Sequence, residues 1–494
     1  MTVSSTNLSP VSELVIALDC SGGEPLHRQI EASIRERIRS GALPGGVALP
    51  PTRALAAELG VSRGVVVEAY AQLVAEGYLT SRSGGYTQVA PAAAEPRRPG
   101  FDAASRNPPA ANTAPAHPSR PRPAVDFGYG RANVAAFPRA AWLRSVRRVL
   151  AEAPDDRLGY LDGRGAAELR TALAAYLNRV RGTLADPETI VITNGYAQAV
   201  SILLSLLAAR GARTLAVEDP SPSDDALLIG ESLGLEVIGV PVGEDGIRVD
   251  AVPDLRADAL ILTPSHQWPT GGVLAPEARA AVLAWAQRAN ALVIEDDYDA
   301  EYRYDRAPIG AMQGLGPDQV AYAGTASKTL APGFRLGWLV LPRDLVEPFA
   351  EAKLLADRGS PILDQLTFAD FLARGEFDRH LRRMRPVYRA RRDALLAALA
   401  RDLPDLEPAG IAAGLHLVAW LPDDLDEATV IEAAADAGVQ LAGISPFRLT
   451  PGRPGLIFGY SNLSERAIAD GVGRLAGAIA GLRAADRAEA TAST

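Results

Sequence analysis

The sequence predicts an α/β fold. A buried, mostly parallel sheet is wrapped by helices, with a small helical unit ahead of it and a smaller α+β domain behind. Three observations predict this. From about 125 to 345, short β-rich runs alternate with Ala/Leu-rich helical stretches: TIVIT (189–193), RTLAVED (213–219), ALILTP (259–264), ALVIEDD (291–297) and VAYAGT (320–325). Such apolar strands, spaced by helices, are covered on both faces. At 91–124 the composition breaks: nine of 34 residues are Pro, ten are Ala, and no apolar periodicity survives. After about 345 the chain turns helical and then gives mixed strands, GLHLVAWL (414–421) and GLIFGYS (455–461).

The expected divisions are therefore residues 1–90, a linker over 91–124, and a large part over 125–494. The linker is Pro-rich and extended. It carries five Arg against two acids, a solvated tether with a basic bias. In RHLRRMRPVYRARRDALLAALARDL (379–403) the spacing predicts a long helix broken at Pro386.

In the first part, Ile30, Ile34 and Ile38 fall four apart on one helix face. Thr52 is placed to cap a short helix that Gly60 ends, and Ser62 to cap the next. There Val66, Ala69, Tyr70 and Leu73 make a core stripe. Two helices joined by a short glycine turn read as a helix-turn-helix, and the second presents Arg63, Gly64 and Val65 at its N-terminus. YLTSRSGGYTQV (78–89) reads as a hairpin, a wing. A three-helix protein-interaction module is the rival reading. Residues 24–90 hold seven Arg and six Glu. With so little excess charge one copy binds DNA weakly, so a dimer on paired half-sites is the expected binding form.

The totals narrow the classes. The 494 residues are 48% hydrophobic, enough for two or three cores. No apolar run approaches the ~20 residues that span a bilayer, and the N-terminus lacks a signal-peptide layout. The one cysteine, Cys20, excludes an intramolecular disulfide and fits a reducing compartment, the cytoplasm. A net charge of −9 restricts DNA contact to a local patch.

Of the 50 basic residues, all but Lys328 and Lys353 are arginine. Lysine does one thing arginine cannot: its deprotonated amine attacks carbonyls. Lys328 lies in GTASKTLAPGFRLGW (324–338), seven residues before Arg335, which can clamp a phosphate. IEDDYDAEYRY (294–304) offers Asp296 and Tyr298, two apart and so on one side of a strand. Asn194-Gly195-Tyr196 stand between a strand and a helix start, where backbone N–H groups bind anions. An amine, a phosphate clamp and a carboxylate for a ring nitrogen are what pyridoxal phosphate requires. Tyr298 would reach the ring oxygen. No metal is assigned. Lys353 reads as an exposed helical residue.

Residues 25–89 resemble the winged helix-turn-helix domain of GntR-type regulators, which implies that Arg53, Ser62 and Arg63 face DNA. Residues 125–480 resemble fold-type I pyridoxal-phosphate enzymes of the aspartate aminotransferase class. That resemblance implies a Schiff base at Lys328, Thr325 and Ser327 near the phosphate, and Arg335 on it. It also implies that Tyr160, in LGYLDGRGAAELRTALAAYL, reaches the cofactor of a partner subunit in a head-to-tail homodimer. The combination is similar to the MocR/GabR/PdxR subfamily.

Departures from the enzyme pattern bear on function. Trp268 replaces the Asn before Pro-Thr-Gly, and His266 is either a partner of Asp296 or a packed core histidine. Pro222 replaces a ring-stacking aromatic, and Asp224 stands where GABA-responsive members carry a substrate-binding Arg. GLIFGYSN lacks the Arg that grips a substrate carboxylate, with Arg448 and Arg453 upstream as substitutes. Two readings follow. One is a regulator that senses pyridoxal phosphate, or an amine reacting with it, and controls vitamin B6 synthesis, with no more than residual half-transamination. The other is an aminotransferase with an accessory DNA-binding domain.

Overall fold

The computed structural model describes residues 14, 16–19, 24–81, 86–91, 123–304 and 309–492. The chain divides between residues 118 and 119 into two compact units. Of the expected linker only Pro91, Pro123 and Ala124 are described, and the rest lies outside the described residues.

In the first unit, α1 (Leu26–Arg39) buries Ile30, Ile34 and Ile38, as their spacing requires. Pro51 rather than Thr52 holds the cap position of α2 (Thr52–Leu59), so Thr52 becomes its first helical residue. Gly60 ends that helix in the left-handed conformation, φ 66°. Ser62 is the N-cap residue of α3 (Arg63–Ala75), whose buried stripe is Val66, Ala69, Tyr70 and Leu73. Strands β1 (Leu79–Ser81) and β2 (Thr87–Val89) pair antiparallel, with Leu79 opposite Val89. The glycine tip of this hairpin, residues 82–85, lies outside the described residues. Arg35 ties α1 to the end of α3 through Glu76 at 2.7 Å.

The second unit opens with β3 (Val125–Asp126), α4 (Arg139–Glu152) and α5 (Ala167–Arg181). Alternation then sets in: β4 (Ile190–Thr193), α6 (Tyr196–Ala209), β5 (Thr214–Asp219), α7 (Ser223–Ser232), β6 (Glu236–Gly243), β7 (Gly246–Ile247), β8 (Ala259–Leu262), α8 (Pro276–Ala289), β9 (Leu292–Asp297), β10 (Val320–Thr325) and β11 (Gly337–Val340). The strands form one sheet in the order β4-β11-β10-β9-β8-β5-β6-β7. Pairs from β10 to β6 are parallel, whereas β11 is antiparallel to both neighbours and β7 to β6.

Strand alternation decides what each face buries. Leu292 and Ile294 of β9 pack with α6 on one face, and Val293 packs with α8 on the other. Continuing the count, Asp296 falls on the α6 face, while Glu295 and Asp297 fall on the opposite one. Both of those acids are hydrogen-bonded, Asp297 through Oδ2 alone. Glu295 accepts the N–H groups of Met312 and Gln313 at 2.9 and 3.0 Å. Asp297 accepts from Arg181 Nε at 2.7 Å and from the Tyr322 hydroxyl at 2.5 Å. Arg181 is fully buried and also donates to Ser265 Oγ at 2.8 Å.

The remainder comprises α9 (Arg343–Asp357), α10 (Ile362–Ala373), α11 (Glu376–Asp402), β12 (Glu407–Ala409), β13 (His416–Trp420), α12 (Glu427–Asp436), β14 (Val439–Gln440), β15 (Ala442–Gly443), β16 (Gly455–Gly459) and α13 (Glu465–Ala492). An antiparallel sheet, β12-β13-β16-β15, carries the smaller domain. β3 joins that domain through a separate two-stranded sheet, pairing in parallel with β14, Val125 against Val439, and Phe127 is fully buried in the domain's core.

Two expectations fail here. α11 runs unbroken through Pro386, where the loss of one N–H donor is outweighed by buried Met384 and Tyr388 on either side. Lys353 is not a surface residue. It is 1% exposed, because α9 turns the face bearing Phe349 and Ala350 inward and Lys353 lies on it.

Removing the guanidinium beneath β9 should be costly. Arg181→Ala leaves Asp297 buried and unpaired, and is expected to lose about 3–5 kcal/mol of stability, measurable by urea unfolding.

Candidate functional site

Strands β9 and β10 end side by side, with Asp296 opposite Ala323 in the register. In an open α/β sheet the crevice at the carboxyl ends of the strands is where ligands bind. A cavity of about 370 Å³ lies there. Asp296, Tyr298, Thr325, Ser327, Lys328, Arg335 and Tyr196 all line it. A larger groove of about 1200 Å³, between α4, α5 and α10, shares no residue with this cavity. Its charges are already paired, Arg148 with Asp370, Arg157 with Glu168 and Arg179 with Asp378.

Asp296 continues the apolar stripe of β9, and its surroundings are correspondingly dry. It makes no hydrogen bond among the described residues, and burial, aided by Asp297, pushes its pKa up to about 8 against the pull of Lys328. A buried carboxyl without a partner is suited to meet a cationic N–H of a ligand. Lys328 follows β10, and its Nζ donates to the Gly130 carbonyl at 2.8 Å. Burial lowers its pKa below the usual lysine value; Asp296 and Asp299 oppose that, and Arg335 adds to it. The free amine is therefore more accessible here than on a surface lysine.

At the other end the donors gather. Arg335 adopts a left-handed backbone, φ 50°, uncommon for a side chain of its size. This sends Nη2 to the Asn194 carbonyl at 3.0 Å and lays the guanidinium on Gly195. A Cβ on Gly195 would stand 2.7 Å from Nη2, and φ there is 87°, so only glycine serves. Gly195 caps α6, whose first N–H groups have no partner within the helix. Thr325 Oγ1 donates to Ser327 Oγ at 3.0 Å and accepts from the Ser327 N–H at 3.1 Å, which fixes both hydroxyls beside the cavity. An amine, an unpartnered acid and a donor-rich end in one cavity fit a flat heteroaromatic ring that carries an aldehyde and a phosphate.

Other residues named from the sequence do not line this cavity with their side chains. The Asn194 side chain turns away from the cavity and donates to Asp357 at 2.9 Å. Tyr160 is 95% exposed and does not reach this cavity within its own chain. His266 is the partner of Asp299, at 3.1 Å, and not of Asp296. With Nδ1–H donating to that carboxylate, the Tyr298 hydroxyl donates to the His266 carbonyl at 3.1 Å. Arg448 and Arg453 do not line the cavity, and Arg453 pairs with Glu407 at 2.7 Å. The Asp224 side chain lies outside the described residues.

Sequence reasoning missed Tyr129, Gly130, Trp268 as a wall, Leu415 and His416. Tyr129, Trp268 and Phe447 pack edge to face, with ring centroids 4.6 to 5.5 Å apart. His416 lies at the start of β13 with its Nε2 unpartnered, and burial, then His266, lower its pKa to about 3.

In the first unit, Arg53, Ser62 and Arg63 are all exposed, and Ser62 and Arg63 stand at the start of α3. The Ser62 hydroxyl makes no capping bond. Among the described residues no helix is long and apolar enough to cross a membrane.

Residues 26–89 match the family model for bacterial regulatory proteins of the gntR family, and residues 128–461 match that for aminotransferase class I and II. The chain is 34% identical over 485 residues to the probable rhizopine catabolism regulatory protein MocR of Rhizobium meliloti, covering 95% of this chain and 96% of that one. It is 32% identical over 458 residues to the pyridoxine biosynthesis transcriptional regulator PdxR of Corynebacterium glutamicum, covering 92% and 96%. Among solved structures it is similar to a kynurenine aminotransferase of Pyrococcus horikoshii, at 26% identity and a TM-score of 0.67, over 72% of this chain and 91% of that one.

Buried carboxyls make the ligand-free fold sensitive to alkali. Asp296 titrates near 8 in the fold, and Glu218, Glu295 and Glu301 near 7, all raised chiefly by burial. Their stabilising contribution is complete below about pH 4 and is lost as pH rises through about 7 to 8. Ligand-free protein should melt at progressively lower temperature from about pH 5 to pH 8. Asp296→Asn, which cannot ionise, should show a shallower decline by scanning fluorimetry. An equal slope would refute the assignment.

Proposed function

This chain belongs to the MocR-type transcription regulators of the GntR family, and from that premise we propose that it holds pyridoxal phosphate at Lys328 and reads it as a signal governing DNA binding. The observation that carries this is the division of one cavity. It gathers an amine, a buried carboxyl and a donor-rich end, and among the described residues no cation besides Lys328 and Arg335 lines it to grip a carboxylate. β16 carries Leu456, Ile457 and Phe458, all fully buried and apolar, with no arginine among them, and Arg448 and Arg453 lie outside the cavity. Losing a charge-assisted pair of this kind costs an amino-acid substrate roughly 1.5–3 kcal/mol.

When bound, the cofactor supplies an electrophilic carbonyl and an electron sink for amines. The residues of this chain divide the remaining work. Lys328 presents its amine with a lowered pKa. Asp296 offers its buried carboxyl to the ring nitrogen. Arg335, Thr325, Ser327 and the start of α6 would hold the phosphate, and Tyr298 would serve the ring oxygen. Tyr129 and Trp268 exclude water.

The signal is the cofactor itself or an amine that reacts with it. Vitamin B6 synthesis as the controlled process is supported by the missing carboxylate grip and by the similarity to a pyridoxine biosynthesis regulator. The regulator acts in the cytoplasm as a head-to-tail homodimer on paired half-sites of double-stranded DNA. Tyr160, fully open to solvent, is available to the partner's phosphate. Arg53, Ser62 and Arg63 meet the DNA.

Full-length protein should develop a visible absorption band with pyridoxal phosphate and, after borohydride, retain the cofactor covalently. Lys328→Ala should do neither; covalent retention in that variant would overturn the assignment. Arg63→Ala should lose about 1–3 kcal/mol of operator binding while keeping the band. Promoter binding upstream of vitamin B6 genes should change with pyridoxal phosphate. Sustained keto-acid production from amino acids at catalytic protein levels would favour the aminotransferase reading instead.

A further inference from the structure

The second lysine is as unusual as the first. Lys353 is 1% exposed on α9, and its Nζ donates to both oxygens of Asp357, at 2.8 and 3.1 Å. The Asp357 carboxylate is crowded with further donors. Asn194 Nδ2 reaches it at 2.9 Å, Gln198 Nε2 at 2.8 Å and the Gly359 N–H at 2.8 Å. Gln198 closes a ring by accepting the Asn194 N–H at 2.8 Å. The Asn194 carbonyl then accepts from Arg335 at 3.0 Å. A chain of bonds thus runs from a buried ammonium, through one carboxylate, to both sides of the turn that starts α6.

The chemistry explains why lysine is retained in an arginine-rich sequence. A compact point charge with three rotatable donors fits a closed site, whereas a planar fork needs more room. Three side-chain donors on one carboxylate require it to be ionised. Burial opposes ionisation, but the bonds from Lys353, Gln198 and Gly359 prevail and hold its pKa below the ordinary value.

We propose that the Lys353–Asp357 pair positions the phosphate end of the cavity: it fixes the Asn194–Gly195 turn, and so sets Arg335 and the first N–H groups of α6 for an anion. Neither residue lines the cavity, so they act through the turn. The inference rests on pyridoxal phosphate being the ligand.

The test compares two ligands on the full-length protein. Lys353→Met and, separately, Asp357→Asn are titrated with pyridoxal phosphate and with pyridoxal, which lacks the phosphate, by visible absorbance. Affinity for pyridoxal phosphate should fall about tenfold while that for pyridoxal stays the same. Asp357→Asn, at a half-buried site, carries the test if Lys353→Met does not fold. An equal loss for both ligands, or no loss for either, overturns the proposal and leaves the functional reading standing. A wild-type chain that takes up no pyridoxal phosphate overturns both.

Discussion

The acidic end of β9 can exist inside the protein because Arg181 lies under it. Between Glu295 and Glu301 the chain places five carboxyls in seven positions, all of them buried. Strand alternation sends Asp297 away from the cavity, and there it meets the fully buried guanidinium. That contact lets Asp296 remain unpaired on the cavity face. Were both acids unpaired, the desolvation of one would be compounded by the charge of the other. The site thus depends on an ion pair that never touches it.

Much of this was legible because periodicity is a geometric signal. Ile30, Ile34 and Ile38 could lie only on one face of a helix, and the apolar runs of the sheet could lie only between helices. Asp296, Tyr298, Lys328 and Arg335 were legible for a different reason: each does chemistry that few residue types can do. Lys353 was misread although its spacing from Val346 and Phe349 put it on an apolar stripe. The habit of placing charge outside overrode the period, and its partner Asp357, one turn on, was the clue passed over.

Other misses have no signal in a linear sequence. His416 and Tyr129 reach the cavity because β13 and the segment after β3 fold back against it, and tertiary placement alone makes them neighbours. Pro386 illustrates the reverse error, a strong local rule outweighed by packing on both sides. The Asn194-Gly195-Tyr196 turn reads from the sequence as a source of backbone donors; that the Asn194 amide serves Asp357 and its carbonyl accepts from Arg335 follows from tertiary placement alone.

The bond from Lys328 to the Gly130 carbonyl has a mechanical consequence. Residues 125 to 130 run from the edge of the smaller domain, where Val125 and Phe127 are anchored, to the amine. Anything that occupies that amine competes directly with this backbone carbonyl. The first strand to register occupancy is therefore the one that the chain enters from residue 123, and the released carbonyl must find water or another donor. Occupancy of one nitrogen would thus be felt as slack or tension in the main chain, five residues after Val125.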